Sequence, residues 1–258
     1  MSIQPPIIAL CSQAMGSGKS EVAGHLQRCH GFELVKFAGP LKDMARVLLR
    51  HHGVDDSEPY VEGNRKELPL PHFATWLRNR RASSVLEMAR ALAPHLGIQP
   101  EEFDRQLLSE RDLAIEAFPE LTIHYLLNTL YYDWVDAVAP RHDTVVTPRR
   151  IMQTLGTEWG RDRITQDFWT RIAATRCAQH RLNGRAIVID DMRFMNELVV
   201  ATRLGSVPVR IVRPGAAVTG GGHASEGELD HVTMAEIIND GSLADLYQKT
   251  DDMVAQST

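Results

Sequence analysis

A short loop that ends in Gly18, Lys19 and Ser20 carries the clearest chemical signal in this sequence. It follows an apolar run at residues 7–11 (IIALC), and a helical pattern of apolar residues begins directly after it. A loop between a strand and a helix points several backbone N–H groups, together with the positive end of the helix dipole, toward one anion. The order of residues therefore predicts a strand, a phosphate-binding loop and a helix.

The residue types in this loop predict separate contacts with a bound nucleotide. The Lys19 amine would contact the outer phosphates, and the Ser20 hydroxyl would be a ligand of Mg²⁺. The usual pattern begins with a glycine, which allows a positive φ angle, whereas this chain has Gln13 there. We expect a slightly altered turn; a chance Gly-Ser-Gly-Lys-Ser in a surface loop is the alternative. The predicted nucleotide-binding residues are Gly16, Ser17, Gly18, Lys19 and Ser20.

Two carboxylates, Asp190 and Asp191, end a second apolar run at residues 186–189 (AIVI). Continuous apolar runs of this kind are typical of buried parallel strands, and ligands bind beyond the carboxyl ends of such strands. Either carboxylate could bind Mg²⁺, which prefers oxygen ligands, and the sequence does not choose between them. The alternative is that the pair caps the N-terminus of the following helix.

Positive charge near the loop is a further requirement, because the transition state of phosphoryl transfer spreads negative charge over the transferred oxygens. Arginines close to predicted strand ends and helix starts are candidates to supply it, although a single arginine is more often a solvated surface charge. These arginines are Arg149, Arg150, Arg161, Arg163, Arg193 and Arg213.

Strands and helices alternate along much of the chain, which predicts an α/β protein in which helices flank a mainly parallel sheet. Residues 72–140 interrupt this alternation with a block of helical periodicity. We therefore predict a core domain formed by residues 1–71 and 141–258. The inserted block, predicted to be all-helical, would be a lid, an element of the monophosphate side or an oligomerisation element.

Composition narrows the function classes. The 258 residues carry a formal net charge of −5, which argues against non-specific binding to a nucleic-acid polymer. Three widely separated cysteines without a Cys-x-x-Cys pair indicate core residues in a reducing compartment. We expect no signal peptide and no membrane span, since no run of about 20 apolar residues occurs. The expected protein is cytoplasmic and binds neither a membrane nor a nucleic-acid polymer.

A longer stretch at residues 147–161 (TPRRIMQTLGTEWGR) resembles the deoxynucleoside monophosphate kinases of tailed phages. Its Gln-x-x-Gly-Thr-Glu part is the most distinctive piece. Further segments similar to that family lie at residues 167–169, 189–197, 213–215, 223–226 and 239–243. The resemblance covers residues 1–70 and 141–258 and leaves the helical block unexplained.

The resemblance implies a three-layer P-loop kinase fold, with ATP and Mg²⁺ as cofactors and a deoxynucleoside monophosphate as the acceptor. It implies catalytic roles for Lys19, Arg161 and Arg193, and it places Arg213 and Pro214 beside the adenine of ATP. The implied metal ligands are Ser20, Asp190 and Asp191. The implied acceptor side consists of Lys42, Arg65, Lys66, Arg150, Gln153, Thr157, Glu158 and Trp169.

Several of these residues also have simpler interpretations. Gln153 and Thr157 are four apart, as in any polar stripe of a helix, and Glu158 is spaced to pair with Arg161. The family usually carries an acid at the position of Gly39, so no acidic catalytic group is expected there. Trp169 is expected to be a core residue first. Loose spacing in a glycine-rich loop argues against a metal site at His223, Glu226, Asp230 and His231.

The predicted reaction is transfer of the γ-phosphoryl group of ATP to the 5′-phosphate of a deoxynucleoside monophosphate, which gives the diphosphate. The sequence leaves open the preferred base, a homodimer and the role of residues 72–140. One alternative is a P-loop kinase for another small acceptor, such as dephospho-coenzyme A. Another is a nucleotide-binding protein without turnover that docks a partner through the insertion. A phage origin would place the protein in the host cytoplasm.

Overall fold

The computed structural model describes residues 4–14, 16–109, 114–216 and 227–257. Its strands are β1 (Ile7–Cys11), β2 (Glu33–Val35), β3 (Ala114–Ile115), β4 (Phe118–Thr122), β5 (Ile187–Ile189), β6 (Ser206–Val212) and β7 (Ala235–Ile238). Its helices are α1 (Lys19–His30), α2 (Gly39–His51), α3 (Glu58–Val61), α4 (Phe73–Asn79), α5 (Arg81–Leu92), α6 (Pro100–Leu107), α7 (Ile123–Thr129), α8 (Val135–Val138), α9 (Pro148–Thr154), α10 (Phe168–Leu182), α11 (Met195–Arg203) and α12 (Leu243–Ser257). A 3₁₀ turn spans Ala93–Leu96, and π-helical segments span Leu130–Trp134 and Leu155–Ile164.

Five strands form one parallel sheet in the order β2-β5-β1-β6-β7. The central strand β1 is buried along its whole length, as expected for a strand that helices cover on both faces. Alternate side chains of β1 enter different cores, because successive side chains of a strand point to opposite faces. Ile7 packs with residues of α10 and α11, whereas Ile8 packs with residues of α1 and α12. The predicted α/β fold with a parallel sheet flanked by helices is therefore confirmed.

Contacts divide the chain into two compact units. The first unit comprises residues up to Phe37 and from Ala173 onward, and it contains the whole parallel sheet. The second unit is Ala38–Ile172. It includes the predicted insertion at residues 72–140 and extends beyond it on both sides, so residues 38–71 and 141–172 group with the insertion rather than with the sheet.

The second unit is mainly helical but contains an antiparallel pair, β3 and β4, so the expectation of an all-helical insertion is wrong. The reason lies in the burial of β4, where Phe118 and Leu121 are buried and the two residues between them are exposed. This spacing of three also occurs in helices, and the sequence pattern therefore resembles helical periodicity. Phe118 packs against Phe168, with ring centroids 5.2 Å apart.

Tryptophans fix the centre of the second unit. Trp134 and Trp159 are fully buried, and their indole N–H groups donate to the hydroxyls of Thr154 and Thr129, each over 3.0 Å. Each buried polar group of these rings is therefore hydrogen-bonded, which avoids the cost of an unsatisfied donor.

Among the described residues, no helix is both long enough and apolar enough to cross a bilayer.

A close approach between Gly160 and Trp169 gives a prediction about stability. A Cβ atom on Gly160 would overlap the Trp169 indole, because this buried glycine is packed directly against that ring. Gly160→Ala is expected to lower the free energy of unfolding by about 1–3 kcal/mol, the usual cost of overpacking. Chemical denaturation monitored by tryptophan fluorescence measures this change.

Gly156→Ala is the matched control in the same π-helical segment. Its added Cβ would meet only the Leu41 side chain, at an ordinary contact distance of 3.6 Å. We expect no loss of stability, because alanine loses less backbone entropy than glycine on folding. Equal destabilisation by both variants would contradict the packing argument.

Candidate functional site

The predicted phosphate-binding loop lies between β1 and α1, as expected from the sequence. Gly16 and Gly18 have positive φ angles of 71° and 105°, which suit glycine. Apart from glycines, His72 is the residue with a positive φ angle in the described part of the chain, so Gln13 does not adopt one. The expected conformational cost of Gln13 is therefore absent. Met15 lies outside the described residues.

Residues that follow β6 and β7 hold the loop in place. The Asn239 amide donates to the Ser17 carbonyl over 2.8 Å, and the Arg213 guanidinium donates to the Gly16 carbonyl over 3.1 Å. Gly18 also approaches Asn239 closely, since a Cβ atom at position 18 would lie 2.7 Å from the Asn239 amide nitrogen. The carbonyl groups of Gly16 and Ser17 are therefore hydrogen-bonded by other elements of the same unit.

A cleft of about 440 Å³ opens at this loop. Most of the nucleotide-binding residues that the sequence predicted line this cleft, and Arg213 is one of them. Pro214 follows Arg213 in an exposed turn, which the Ala216 N–H closes onto the Arg213 carbonyl over 3.2 Å. The lining residues are Gly16, Ser17, Gly18, Lys19, Ser20, Glu21, Arg213, Asn239, Gly241, Leu243 and Leu246.

Lys19, at the end of the loop, interacts electrostatically with charged side chains that follow β5. Its amine donates to the Ser12 hydroxyl. Burial lowers the pKa of the Lys19 amine, and the nearby Arg193 guanidinium lowers it further, whereas Asp190 and Asp191 act in the opposite direction. The structure therefore brings Lys19, Arg193 and both carboxylates within electrostatic range of one another.

The two carboxylates differ in their surroundings. Asp190 is buried and lies 3.4 Å from the Lys36 amine, whereas one oxygen of Asp191 accepts the Phe37 backbone N–H over 2.9 Å. Neither carboxylate caps the following helix, so that alternative is wrong. Helix α11 begins four residues after Asp191. The backbone N–H groups of Arg193 and Phe194, which precede the helix, donate to the Glu197 carboxylate over 2.7 and 3.1 Å.

The residue types in the sequence did not identify every residue at the cleft. Asn239, Leu243 and Leu246 line it, and Ser12 accepts a hydrogen bond from Lys19, but no sequence pattern assigned these residues a role. The sequence signal that could have identified Asn239 and Leu243 was the segment at residues 239–243. This segment resembles the kinase family, but the resemblance assigned no contact to its residues. The segment at residues 217–226 lies outside the described residues, and it includes His223 and Glu226, where no metal site was expected.

The first group of predicted acceptor residues lies on and after α2, in the second unit. The Lys42 amine pairs with the Glu62 carboxylate at 2.9 Å, and Arg46 contacts the same carboxylate at 3.3 Å. The exposed Arg65 guanidinium lies 5.6 Å from the centre of the Tyr60 ring. The Lys66 carbonyl accepts the Arg149 backbone N–H over 2.9 Å.

The second group lies on α9 and the π-helical segment after it. Thr147 caps α9 by accepting the Arg150 backbone N–H, and Pro148 occupies the first turn, where a missing N–H costs nothing. The Arg150 guanidinium donates to the carbonyls at the end of α8, Ala137 and Val138, over 2.7 and 2.8 Å. Arg150 therefore ties two helices of this unit together.

The rest of this second group divides into exposed and buried residues. Gln153, Thr157 and Glu158 are exposed, and Arg161 is half-buried. Trp169 is buried, and its indole N–H donates to the Gly156 carbonyl over 2.9 Å. The expectation that Trp169 is a core residue first is therefore confirmed.

A parallel sheet between two helical layers, with a glycine loop leading from its central strand into α1, defines an α/β protein with a P-loop-kinase-like fold. A model of the family described as deoxynucleotide monophosphate kinase matches residues 114–250, slightly more than half of the chain. The deoxynucleotide monophosphate kinase of Escherichia phage RB69 is 25% identical over 251 residues, an alignment that covers 90% of this chain and 93% of that protein. The chain belongs to the deoxynucleotide monophosphate kinase family.

Proposed function

We propose that this protein transfers the γ-phosphoryl group of ATP to the 5′-phosphate of a deoxynucleoside monophosphate and so forms the diphosphate. The observation that carries the proposal is the convergence of Lys19 and Arg193 at a glycine loop, with Asp190 and Asp191 beside them. The family membership supports the acceptor class, since residues 114–250 match a family described as deoxynucleotide monophosphate kinase. The loop lies outside that range and therefore supports the ATP side independently.

The electrostatics of the loop favour a polyanion. Burial lowers the pKa of the Lys19 amine, and repulsion from the Arg193 guanidinium lowers it further. Phosphate oxygens would remove this repulsion and would also accept hydrogen bonds from the N–H groups at the start of α1. In phosphoryl transfer, such fixed positive charge stabilises the charge that develops on the transferred group. Lys19 and Arg193 are therefore the proposed catalytic residues of the first unit.

Mg²⁺ suits the oxygen donors at this place. The exposed Ser20 hydroxyl lies in the first turn of α1, and Asp190 and Asp191 act electrostatically on the adjacent Lys19. Hard cations prefer oxygen donors, and the hydroxyl and the two carboxylates present here are of that kind. Bound there, Mg²⁺ would neutralise charge on the outer phosphates. We propose Ser20, Asp190 and Asp191 as the residues that hold it, directly or through water.

The different surroundings of the two carboxylates give a prediction. Asp190→Asn is expected to raise the Mg²⁺ concentration needed for half-maximal activity by at least about tenfold, because it removes a buried negative charge beside Lys19. Asp191→Asn keeps an oxygen that can accept the Phe37 N–H, so its effect is expected to be smaller. Titration of activity with Mg²⁺ at saturating ATP compares the two variants. An unchanged Mg²⁺ requirement in both variants would contradict the metal assignment.

On the acceptor side, we propose that the exposed groups of Gln153, Thr157 and Glu158, together with Arg161, bind the monophosphate. They lie within the residues that match the family, and part of this stretch is π-helical, a form often found at functional sites. Lys42, Arg65 and Lys66 are proposed to contribute charge toward the acceptor phosphate. Arg150 and Trp169 already bond to backbone carbonyls, which supports positioning roles for them. Arg213 and Pro214 are proposed to flank the adenine of ATP.

The experiment that tests the proposal incubates the protein with Mg²⁺, ATP and each of the four deoxynucleoside monophosphates, and separates the products by ion-exchange chromatography. The expected result is ADP and a deoxynucleoside diphosphate in equal amounts with at least one acceptor. A wider acceptor panel that includes dephospho-coenzyme A is run in parallel. Transfer only to a different acceptor, or tight ATP binding without transfer, would overturn the proposal.

A further inference from the structure

Two histidines and one aspartate meet between α1 and α12, in the first unit and apart from the cleft lining. The Nε2 atoms of His25 and His30 each lie 2.6 Å from the same oxygen of Asp251. Within the described residues, these three side chains form a group whose metal-binding atoms all lie within 4.8 Å of one another. The proposed phosphoryl transfer uses none of them.

One side chain of this cluster is held by packing, and the other two are accessible to solvent. The His25 side chain is only 9% exposed, and its ring stacks on Tyr247 with centroids 4.3 Å apart and planes 8° apart. His30 and Asp251 are more accessible, with side-chain exposures of 26% and 41%. An ion from solvent can therefore reach the three donor atoms, while the Tyr247 ring limits rotation of the His25 imidazole.

We propose that His25, His30 and Asp251 form a binding site for a divalent transition-metal ion of the zinc class. Two imidazole nitrogens and one carboxylate oxygen are a common ligand set for Zn²⁺, with water in the fourth position. The same set does not suit Mg²⁺ or Ca²⁺, which prefer oxygen donors throughout. The site is thus chemically distinct from the Mg²⁺ position proposed at the loop.

Metal binding at this cluster needs only small movements. The Asp251 carboxylate accepts a hydrogen bond from each of the two imidazoles, over 2.6 Å in both cases. An ionised carboxylate only accepts hydrogen bonds, so each Nε2 carries a proton in the metal-free state. On binding, each imidazole changes to the tautomer protonated at Nδ1, and its Nε2 lone pair turns to the ion. At metal–ligand distances of about 2.0–2.2 Å, neighbouring donors would lie roughly 3.3 Å apart, so each of the two His–Asp251 contacts would open modestly from 2.6 Å.

The consequence of such an ion would be a cross-link between two helices. His25 and His30 belong to α1, the helix that starts at the phosphate-binding loop, and Asp251 belongs to α12, whose Leu243 and Leu246 line the cleft. An ion bound to both helices stabilises the folded state by mass action, because the unfolded chain does not preassemble the three ligands. The proposal does not depend on the kinase activity.

The test is isothermal titration of the nucleotide-free, full-length protein with Zn²⁺, combined with thermal unfolding in the same buffer. We expect one Zn²⁺ per chain and a higher melting temperature in the presence of Zn²⁺. His30→Ala and Asp251→Asn are each expected to weaken Zn²⁺ binding by at least about tenfold and to remove the thermal shift. Mg²⁺ at the same concentration is expected to give no shift through these residues.

Two control variants separate this site from other ways of binding zinc. Asp252→Asn removes the neighbouring exposed carboxylate of α12, and Cys29→Ser removes the exposed thiol beside His30. Both are expected to bind Zn²⁺ as the wild type does. No saturable Zn²⁺ binding by the wild type, full binding by both ligand variants, or loss of binding in Cys29→Ser would overturn the proposal. Should a ligand variant fail to fold, Co²⁺ absorption of the wild type still decides, because thiolate charge-transfer bands would exclude a nitrogen–oxygen site.

Discussion

Lys19→Ala is expected to lower the rate of phosphoryl transfer by at least about 10²–10³-fold, the usual effect of removing one charge-stabilising donor from an active site. The fold is expected to remain intact, with stability equal to or slightly above that of the wild type. Lys19 is partly desolvated and lies near Arg193, and both features lower the pKa of its amine and disfavour its charge in the nucleotide-free protein. A coupled assay of ADP formation measures the first effect, and thermal unfolding without nucleotide measures the second.

Arg203→Ala is the matched control for loss of a positive charge in the same unit. Arg203 is exposed in the last turn of α11, and its removal is expected to change neither activity nor stability by a large amount. Unchanged transfer in Lys19→Ala would remove the loop from the mechanism. Loss of activity together with a large loss of stability would assign Lys19 a structural role instead.

Gly18→Ala is expected to lower both stability and ATP affinity. At a φ angle of 105°, an alanine is strained by about 1–3 kcal/mol, and its Cβ would lie 2.7 Å from the Asn239 amide nitrogen. Relief of this clash must move either the loop or the Asn239 amide, and both movements disturb the hydrogen bond that holds the Ser17 carbonyl beside the cleft. We expect the free energy of unfolding to fall by about 1–3 kcal/mol and the Kd for ATP to rise at least about tenfold.

Gly31→Ala is the control for the strain alone. Gly31 ends α1 with a φ angle of 68°, and an added Cβ there would meet no heavy atom within 4 Å. It is expected to cost about 1–2 kcal/mol of stability and to leave the Kd for ATP unchanged. Titration of nucleotide fluorescence and urea denaturation compare the two variants. Equal Kd values for Gly18→Ala and the wild type would contradict the loop geometry described above.

The first strand, the loop and α1 were predictable because they are continuous in sequence and governed by local rules. An apolar run, two glycines and a helical pattern suffice to predict the order of these elements. The position of Asp190 at the end of β5 was predictable for the same reason, since an apolar run before a carboxylate indicates a buried strand. The parallel sheet then followed from the alternation of strands and helices.

The contacts that complete the cleft could not be predicted in this way. Asn239 lies 222 residues from Ser17, and Arg213 lies 197 residues from Gly16. Their approach to the loop depends on the placement of β6 beside β1 and of β7 beside β6, and hydrophobic periodicity carries no information about that strand order. The β3–β4 pair was missed for a different reason, because its buried residues happen to have helical spacing.

The sequence by itself therefore determined the glycine loop between β1 and α1, the acidic end of β5 and the parallel α/β class, all through patterns within single segments. Only the tertiary structure decided which side chains meet across segments. It removed the conformational objection to Gln13, bound Asp191 to the Phe37 backbone, and brought His25 and His30 to Asp251, which is more than 220 residues away in sequence. Such pairs form because the strand order and the packing of helices on the sheet are set by the core as a whole.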